Sequence, residues 1–208
     1  MNDFCLTLDD FLDPSLVDEG YHSIIKEDFD SFFVKKDDLT PERFKYDNWL
    51  LDIITQTWEK LPFLNSEIAG FEIWTNSMDY ENILSLHCDV DEVRMDTKQE
   101  CVHPLYTSVL YLGPQNKLEG GNLRLNLKDT FKDLLSNPEK IEEEGLQENL
   151  NENWIEIPYR YNRLVVFDPK RPHLITKIEK GDFETSPRVG LTMAAWNYEI
   201  EIAERYTY

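Results

Sequence analysis

The chain has 208 residues and a mass of 24.6 kDa, with 41% hydrophobic and 12% aromatic residues, which is enough apolar material for one domain-sized core and too much for global disorder. Its 41 acidic residues against 21 basic ones give a net charge of -20, a surface that repels phosphate backbones and anionic membranes, so neither nucleic acid nor membrane is an expected partner. No apolar run reaches the roughly 20 residues of a membrane helix, the acidic N-terminus has no basic signal-like stretch, and Cys5, Cys88 and Cys101 form no CxxC, so a reducing, cytoplasmic home is expected.

In chain order, the first third reads as helix. Asp13-Pro14 offers an N-cap followed by proline at the first helical position. Leu16, Val17, Tyr21, Ile24 and Ile25 then recur at helical spacing. Thr40-Pro41-Glu42 is a second start signal, and Trp49, Leu50, Ile53, Ile54 and Trp58 trace one face of a helix from about Asp47 to Lys60.

From residue 70 the period changes to two. Strands are predicted at Phe71–Thr75, Ile83–His87, Tyr106–Leu112, Asn122–Leu127, Trp154–Ile157, Arg163–Phe167, Leu174–Ile178 and Val189–Trp196. Eight short strands suit a double-sheet jelly roll with the early helices packed outside one sheet. Residues 128–153, which carry Glu142-Glu143-Glu144, interrupt the pattern between two strands expected to be neighbours. They read as a solvated helical insertion; the competing reading is a lid over a site.

His87-Cys88-Asp89 lies at the end of a predicted strand, where positions i and i+2 share a face. An imidazole and a carboxylate therefore project together. His173, beyond the turn Asp168-Pro-Lys-Arg-Pro, is the candidate third ligand. Two histidines and one carboxylate form the facial triad of non-haem Fe(II) oxygenases, which leaves open coordination positions. An isolated His-x-Asp is weak, since chance supplies many, and a strand-end histidine bonded to Asp89 would look the same.

Four stretches, taken in order, resemble the 2-oxoglutarate- and Fe(II)-dependent dioxygenases, especially the prolyl-4-hydroxylase-like group. They are His87 with Asp89; Thr107-Ser-Val-Leu-Tyr-Leu followed by Glu119-Gly-Gly-Asn-Leu-Arg-Leu; Asn162-Arg-Leu-Val-Val-Phe-Asp ending at Pro172-His173; and Lys177-Ile-Glu-Lys-Gly with Pro187-Arg188-Val-Gly-Leu-Thr and Trp196. Phe11-Leu-Asp-Pro is similar to the start of the family's N-terminal helix. The match runs over about residues 80–200.

The resemblance implies a mainly β fold with N-terminal helices, a double-stranded β-helix (jelly roll, cupin-like) whose helices pack on the major sheet. It implies one dioxygenase domain over 1–208, with helical support in 1–68, a core in 69–200 and the acidic insertion in 128–153. Fe(II) would be held by His87, Asp89 and His173, with 2-oxoglutarate as cosubstrate, dioxygen as co-reactant and ascorbate as an accessory reductant. The far carboxylate of 2-oxoglutarate wants a buried cation, and Arg suits a carboxylate. Arg188 stands at the family's basic position, heading an apolar strand. Tyr111 matches the tyrosine that often joins it, although it reads equally as a core aromatic. Tyr106 and Thr192 are lesser candidates, Thr192 at i+4 from Arg188 sharing its face. The fifteen positions from His173 to Arg188 exceed the usual family spacing, and Lys177, Lys180 and Arg171 are the other cations nearby. An acid at Asp89, where related halogenases carry a small residue, points to hydroxylation. The implied reaction is hydroxylation of a C–H bond, peptidyl proline being the nearest resemblance, with succinate and CO2 released. A free amino acid or other small molecule is the runner-up substrate, and a non-catalytic cupin-like metal- or sugar-binding module is the reading from another class.

Overall fold

The structure is a computed structural model that describes residues 4–26, 29–61, 67–78, 84–115, 118–181 and 186–202. Two helices open it. Helix α1 (Pro14–Ile24) is capped by Asp13, whose carboxylate accepts from the Ser15 N–H at 2.9 Å, and it buries Val17, Tyr21 and Ile24. Helix α2 (Asn48–Glu59) buries Trp49, Leu50, Ile53, Ile54 and Trp58. Both follow the sequence periodicity. The Thr40-Pro41-Glu42 signal does not start a helix; it makes one turn, closed by the Phe44 N–H to the Thr40 carbonyl at 2.9 Å.

The strands are β1 (Cys5–Leu8), β2 (Phe32–Lys35), β3 (Gly70–Met78), β4 (Leu84–His87), β5 (Tyr106–Gly113), β6 (Glu119–Gly120), β7 (Leu123–Asn126), β8 (Trp154–Ile157), β9 (Leu164–Phe167), β10 (His173–Ile175), β11 (Ile178–Lys180) and β12 (Arg188–Trp196). They form a six-stranded sheet in the order β1-β9-β5-β12-β3-β2, a four-stranded sheet in the order β4-β10-β7-β8, and the pair β11-β6, all antiparallel. Side chains alternate across the six-stranded sheet. Leu110, Leu112, Val189, Leu191, Met193, Phe71 and Ile73 meet α1 and α2 on the outer face. Val109, Tyr111, Val165 and Phe167 face inward and pack against Leu123, Leu125, Ile157 and Ile175 of the smaller sheet. The space between the sheets is where the candidate site lies.

All eight expected strands are present, with one division. The run from Leu174 is cut at Thr176-Lys177, where the chain leaves the four-stranded sheet to pair with β6. Helix α3 (Glu92–Lys98), capped by Asp91, was not anticipated. Strands β7 and β8 pair side by side, as expected. Between them stand α4 (Phe131–Ser136), with a capping box from Thr130 and Asp133, and α5 (Pro138–Leu146). Leu134 and Ile141 of this hairpin pack on Trp154, Leu174 and Cys88. Leu174 is opposite in parity to His173, so the hairpin covers the outside of the smaller sheet. Among the described residues none from 128–153 lines the inter-sheet cavity, which argues against the lid.

No helix of the described residues is long and apolar enough to cross a membrane.

Candidate metal and carboxylate site

Two separate segments deliver three side chains to one point. His87 ends β4 and His173 begins β10; the two are directly opposed in the antiparallel register, their ring centroids 4.2 Å apart. Asp89 follows His87 by two residues. The ligand atoms of His87, Asp89 and His173 all lie within 4.8 Å of one another. Asp89 Oδ1 sits 3.7 Å from His87 Nε2 and 3.5 Å from His173 Nε2.

The surrounding hydrogen bonds fix which atoms converge. His87 Nδ1 donates to the Ser85 carbonyl at 2.7 Å, and His173 Nδ1 donates to the Arg171 carbonyl at 2.9 Å. A carbonyl can only accept, so the proton is on Nδ1 and each Nε2 keeps its lone pair for a metal. Thr107 donates its hydroxyl to Asp89 Oδ2 at 2.5 Å, leaving Oδ1 toward the imidazoles. His103 Nδ1 donates to the Asp89 carbonyl at 2.7 Å, and the Asp89 N–H to the Pro169 carbonyl at 3.2 Å.

Electrostatics agree with a ligand set. Burial, then the neighbouring His173, push the His87 pKa down to about 4, so the ring is neutral. Burial opposes charge on His173, but Asp89 outweighs it and the net direction is upward. Burial also opposes the Asp89 charge, and the two imidazoles with the Thr107 hydroxyl outweigh it, holding the carboxyl below its ordinary value. A carboxylate and two imidazole lone pairs suit a divalent transition ion, and three donors leave its other positions open.

Away from the triad the same cavity, about 280 Å³, is lined by Arg188, Tyr111 and Thr192. Arg188 is 0% exposed. Among the described residues its Nη1 reaches Met78 Sδ at 3.3 Å, and Nε and Nη2 have no hydrogen-bond partner. Its guanidinium lies over the Tyr111 ring at 4.8 Å and the Tyr159 ring at 5.5 Å. Among the described residues no carboxylate pairs with it. Among the described residues the buried Tyr111 hydroxyl has no partner at hydrogen-bond geometry, and burial raises its pKa against the opposing effect of the adjacent Arg188, so it remains a donor. Gly121, at φ +65, makes room: a Cβ there would stand 3.0 Å from Arg188 Cδ. A buried cation with two orphaned N–H groups beside an orphaned phenol fits a carboxylate-bearing ligand. Thr192 shares this face and accepts from Asn76 Nδ2 at 3.3 Å.

Tyr106 is not part of the site. It packs with the helix-side core, edge-on to Phe4, because it is five residues from Tyr111 and so has the opposite strand parity. Thr107, His103 and Tyr159 were missed by sequence reasoning. Thr107 was recoverable, since 107, 109 and 111 share a face. His103 and Tyr159 sit in irregular segments where no periodicity points at them.

No family model matches the chain, and no curated protein matches it in sequence. Solved structures do match its fold. A prolyl-4-hydroxylase from Pseudomonas putida is 14% identical, with a TM-score of 0.58 over 93% of this chain and 86% of that one. HygX from Streptomyces hygroscopicus, solved with nickel and 2-oxoglutarate, is 11% identical, with a TM-score of 0.59 over 97% and 86%. IDO from Bacillus thuringiensis is 14% identical, with a TM-score of 0.54 over 94% and 93%. The chain thus has the fold of the 2-oxoglutarate–Fe(II) oxygenases.

Proposed function

We propose that this chain is a 2-oxoglutarate- and Fe(II)-dependent dioxygenase that hydroxylates a C–H bond. The observation that carries the reading is the convergence of His87 Nε2, Asp89 Oδ1 and His173 Nε2 in the cavity that also holds the unpartnered Arg188 guanidinium. The whole chain serves as one jelly-roll catalytic domain, residues 1–68 supporting the core 69–200. Three free cysteines suit the cytoplasm.

When bound, iron(II) with 2-oxoglutarate and dioxygen supplies a two-electron oxidation that puts one oxygen atom into the substrate and releases succinate and CO2. The chain's own residues bind and orient. His87 and His173 offer Nε2, locked by their backbone bonds. Asp89 offers Oδ1 because Thr107 occupies Oδ2. Arg188 and Tyr111 receive the far carboxylate of 2-oxoglutarate, with Thr192 beside them. Peptidyl proline is the finer substrate reading, supported by the likeness to a prolyl-4-hydroxylase, and a free amino acid is its competitor.

The test is succinate formation from 2-oxoglutarate under air with Fe(II), alone and with a substrate panel read by mass spectrometry for a gain of one oxygen. Activity is expected in the parent and none in His87→Ala. Equal succinate in both proteins sinks the proposal.

A further inference from the structure

We propose that the groove between α1, α2 and β2 binds a basic, arginine-bearing peptide segment, at a second site apart from the metal cavity. The groove, about 480 Å³, is walled by Phe29, Phe32, Tyr46 and Trp49, with Asp30 and Asp47 among its lining residues. Register sets it on the helix side of the six-stranded sheet. Phe32 is opposite Ile73, which faces the helices, and β2 is the edge of that sheet. The metal cavity lies on the other side, and the two share no lining residue among those described. The proposal therefore stands without the metal and 2-oxoglutarate centre.

The rings form a ladder along the groove. The Trp49 and Phe29 ring centroids are 6.5 Å apart, those of Phe29 and Phe32 5.8 Å, and Phe32 stacks on Tyr46 at 3.7 Å. The bottom is fixed. Ile24, Trp49 and Leu50 are buried, and a Cβ at Gly20 of α1 would stand 3.1 Å from the Trp49 ring. The top is open, with Tyr46 47% exposed. Aromatic surface left to water marks a place for a partner, and cations bind aromatic faces. The acids set the charge of that partner. Asp30 is exposed and has no hydrogen bond or ion pair among the described residues. Asp47 Oδ2 accepts from Trp49 Nε1 at 3.3 Å, a neutral donor that leaves the carboxylate charged. Among the described lining residues there is no lysine or arginine. Two nearby cations are engaged elsewhere, Lys35 with Glu199 at 2.7 Å and Arg43 Nη1 with the Asp37 carbonyl at 3.3 Å. Lys26 and Lys45 are exposed and do not line the groove. Arginine meets both halves of this surface, since its planar face covers a ring while its N–H fork reaches a carboxylate. The groove has the volume of a ligand pocket, room for a stretch of peptide and not only a lone ion. The net charge of -20 steers a basic peptide toward it.

The test is calorimetric titration of the full chain with acetyl-Gly-Arg-Ala-Arg-Gly-amide and with its citrulline counterpart, in which a neutral urea of the same shape replaces each guanidinium. The arginine peptide should bind about tenfold more tightly, and the preference should shrink as sodium chloride rises from about 10 mM to about 150 mM. Tyr46→Ala and Asp30→Asn, both at exposed positions, should each cut its affinity severalfold, with near-ultraviolet circular dichroism checking the fold. Asp30→Asn removes no hydrogen bond or ion pair among the described residues, so it decides the matter even if Tyr46→Ala unfolds. Glu92→Gln at the metal cavity and Glu139→Gln on α5 should bind as the parent does. The proposal is overturned if the citrulline peptide binds equally, or if the folded groove variants keep the preference. It is overturned too if Glu92→Gln loses the preference, which would seat the peptide in the metal cavity. The same holds if Glu139→Gln weakens binding as much as Asp30→Asn, which would leave net charge as the whole effect.

Discussion

Arg188 carries an energetic conflict that one substitution can expose. Its guanidinium is out of water, and among the described residues two of its nitrogens, Nε and Nη2, have no acceptor. Such a charge costs stability until an anion arrives. Arg188→Ala should weaken 2-oxoglutarate binding by about 2–5 kcal/mol, with Mn(II) affinity nearly unchanged in calorimetry. Arg188→Met, which keeps the volume, should leave the cosubstrate-free protein as stable as the parent or more so by thermal melting. A large loss in both respects would make Arg188 a structural residue. Thr107 makes the complementary case at the triad. Thr107→Val removes the donor to Asp89 Oδ2 and should lower divalent-metal affinity 10–100-fold, while Thr107→Ser retains it. Equal affinities in all three proteins would show that Asp89 is fixed by its backbone bonds alone.

At the scale of elements, the long strands were legible because each alternates cleanly between two apolar environments. In β12, Arg188, Gly190 and Thr192 face the cavity while Val189, Leu191 and Met193 face the helices. The same parity argument places Thr107 inside and Tyr106 outside, and it was the step not taken for Tyr106. Strands β1, β2 and β6, of two to four residues, went unread, although β8, also of four residues, was read. The irregular register between β10 and β4 lets both Leu84 and His87 line the cavity although they are three residues apart, so simple alternation does not describe β4. Helix α3 is seven residues long with no buried residue, so it has no periodic stripe. The His87, Asp89 and His173 set was readable only because the resemblance joined segments that the fold brings together.

Elements are also joined by charge. Asp9, just beyond β1, pairs with Arg163 at 2.6 Å and Arg160 at 2.9 Å, flanking the β1–β9 pairing. The Arg163 hydrogen bond and charge outweigh slight desolvation and lower the Asp9 pKa. A depressed folded pKa stabilises above the unfolded value of about 3.9 and stops doing so as pH falls through the folded one. Asp9→Asn should therefore cost at most about 1 kcal/mol at neutral pH, the pair being partly exposed, and should flatten the loss of stability below about pH 4. Chemical denaturation at pH 7 and in that acid range checks both.

For the whole molecule, a net charge of -20 is a self-repulsion that opposes compactness. Raising sodium chloride from about 10 mM to about 150 mM shortens the screening length from about 30 Å to about 8 Å. The melting temperature should rise with that change. A flat or falling response would place the acidic groups too far apart, or too well paired, to strain the fold. The α4–α5 hairpin adds glutamates but packs on the back of the smaller sheet, with Gly145 so close to Trp154 that a Cβ would approach its ring to 2.7 Å. Replacing 128–153 by a Gly-Ser link should thus lower stability and spare 2-oxoglutarate turnover. Loss of turnover in a folded variant would bring the hairpin back as part of the site.

The opposed register of His87 and His173 has a mechanical side. Strand β4 lies at the border of its sheet, joined to β10 by a short and irregular ladder. An ion shared by the two imidazoles would act as a rivet through that border. Local opening of β4 would then require the ion to leave, and its opening free energy would rise with the logarithm of metal concentration. Amide hydrogen exchange in Leu84–His87 would report occupancy directly, in a protein that need never turn over.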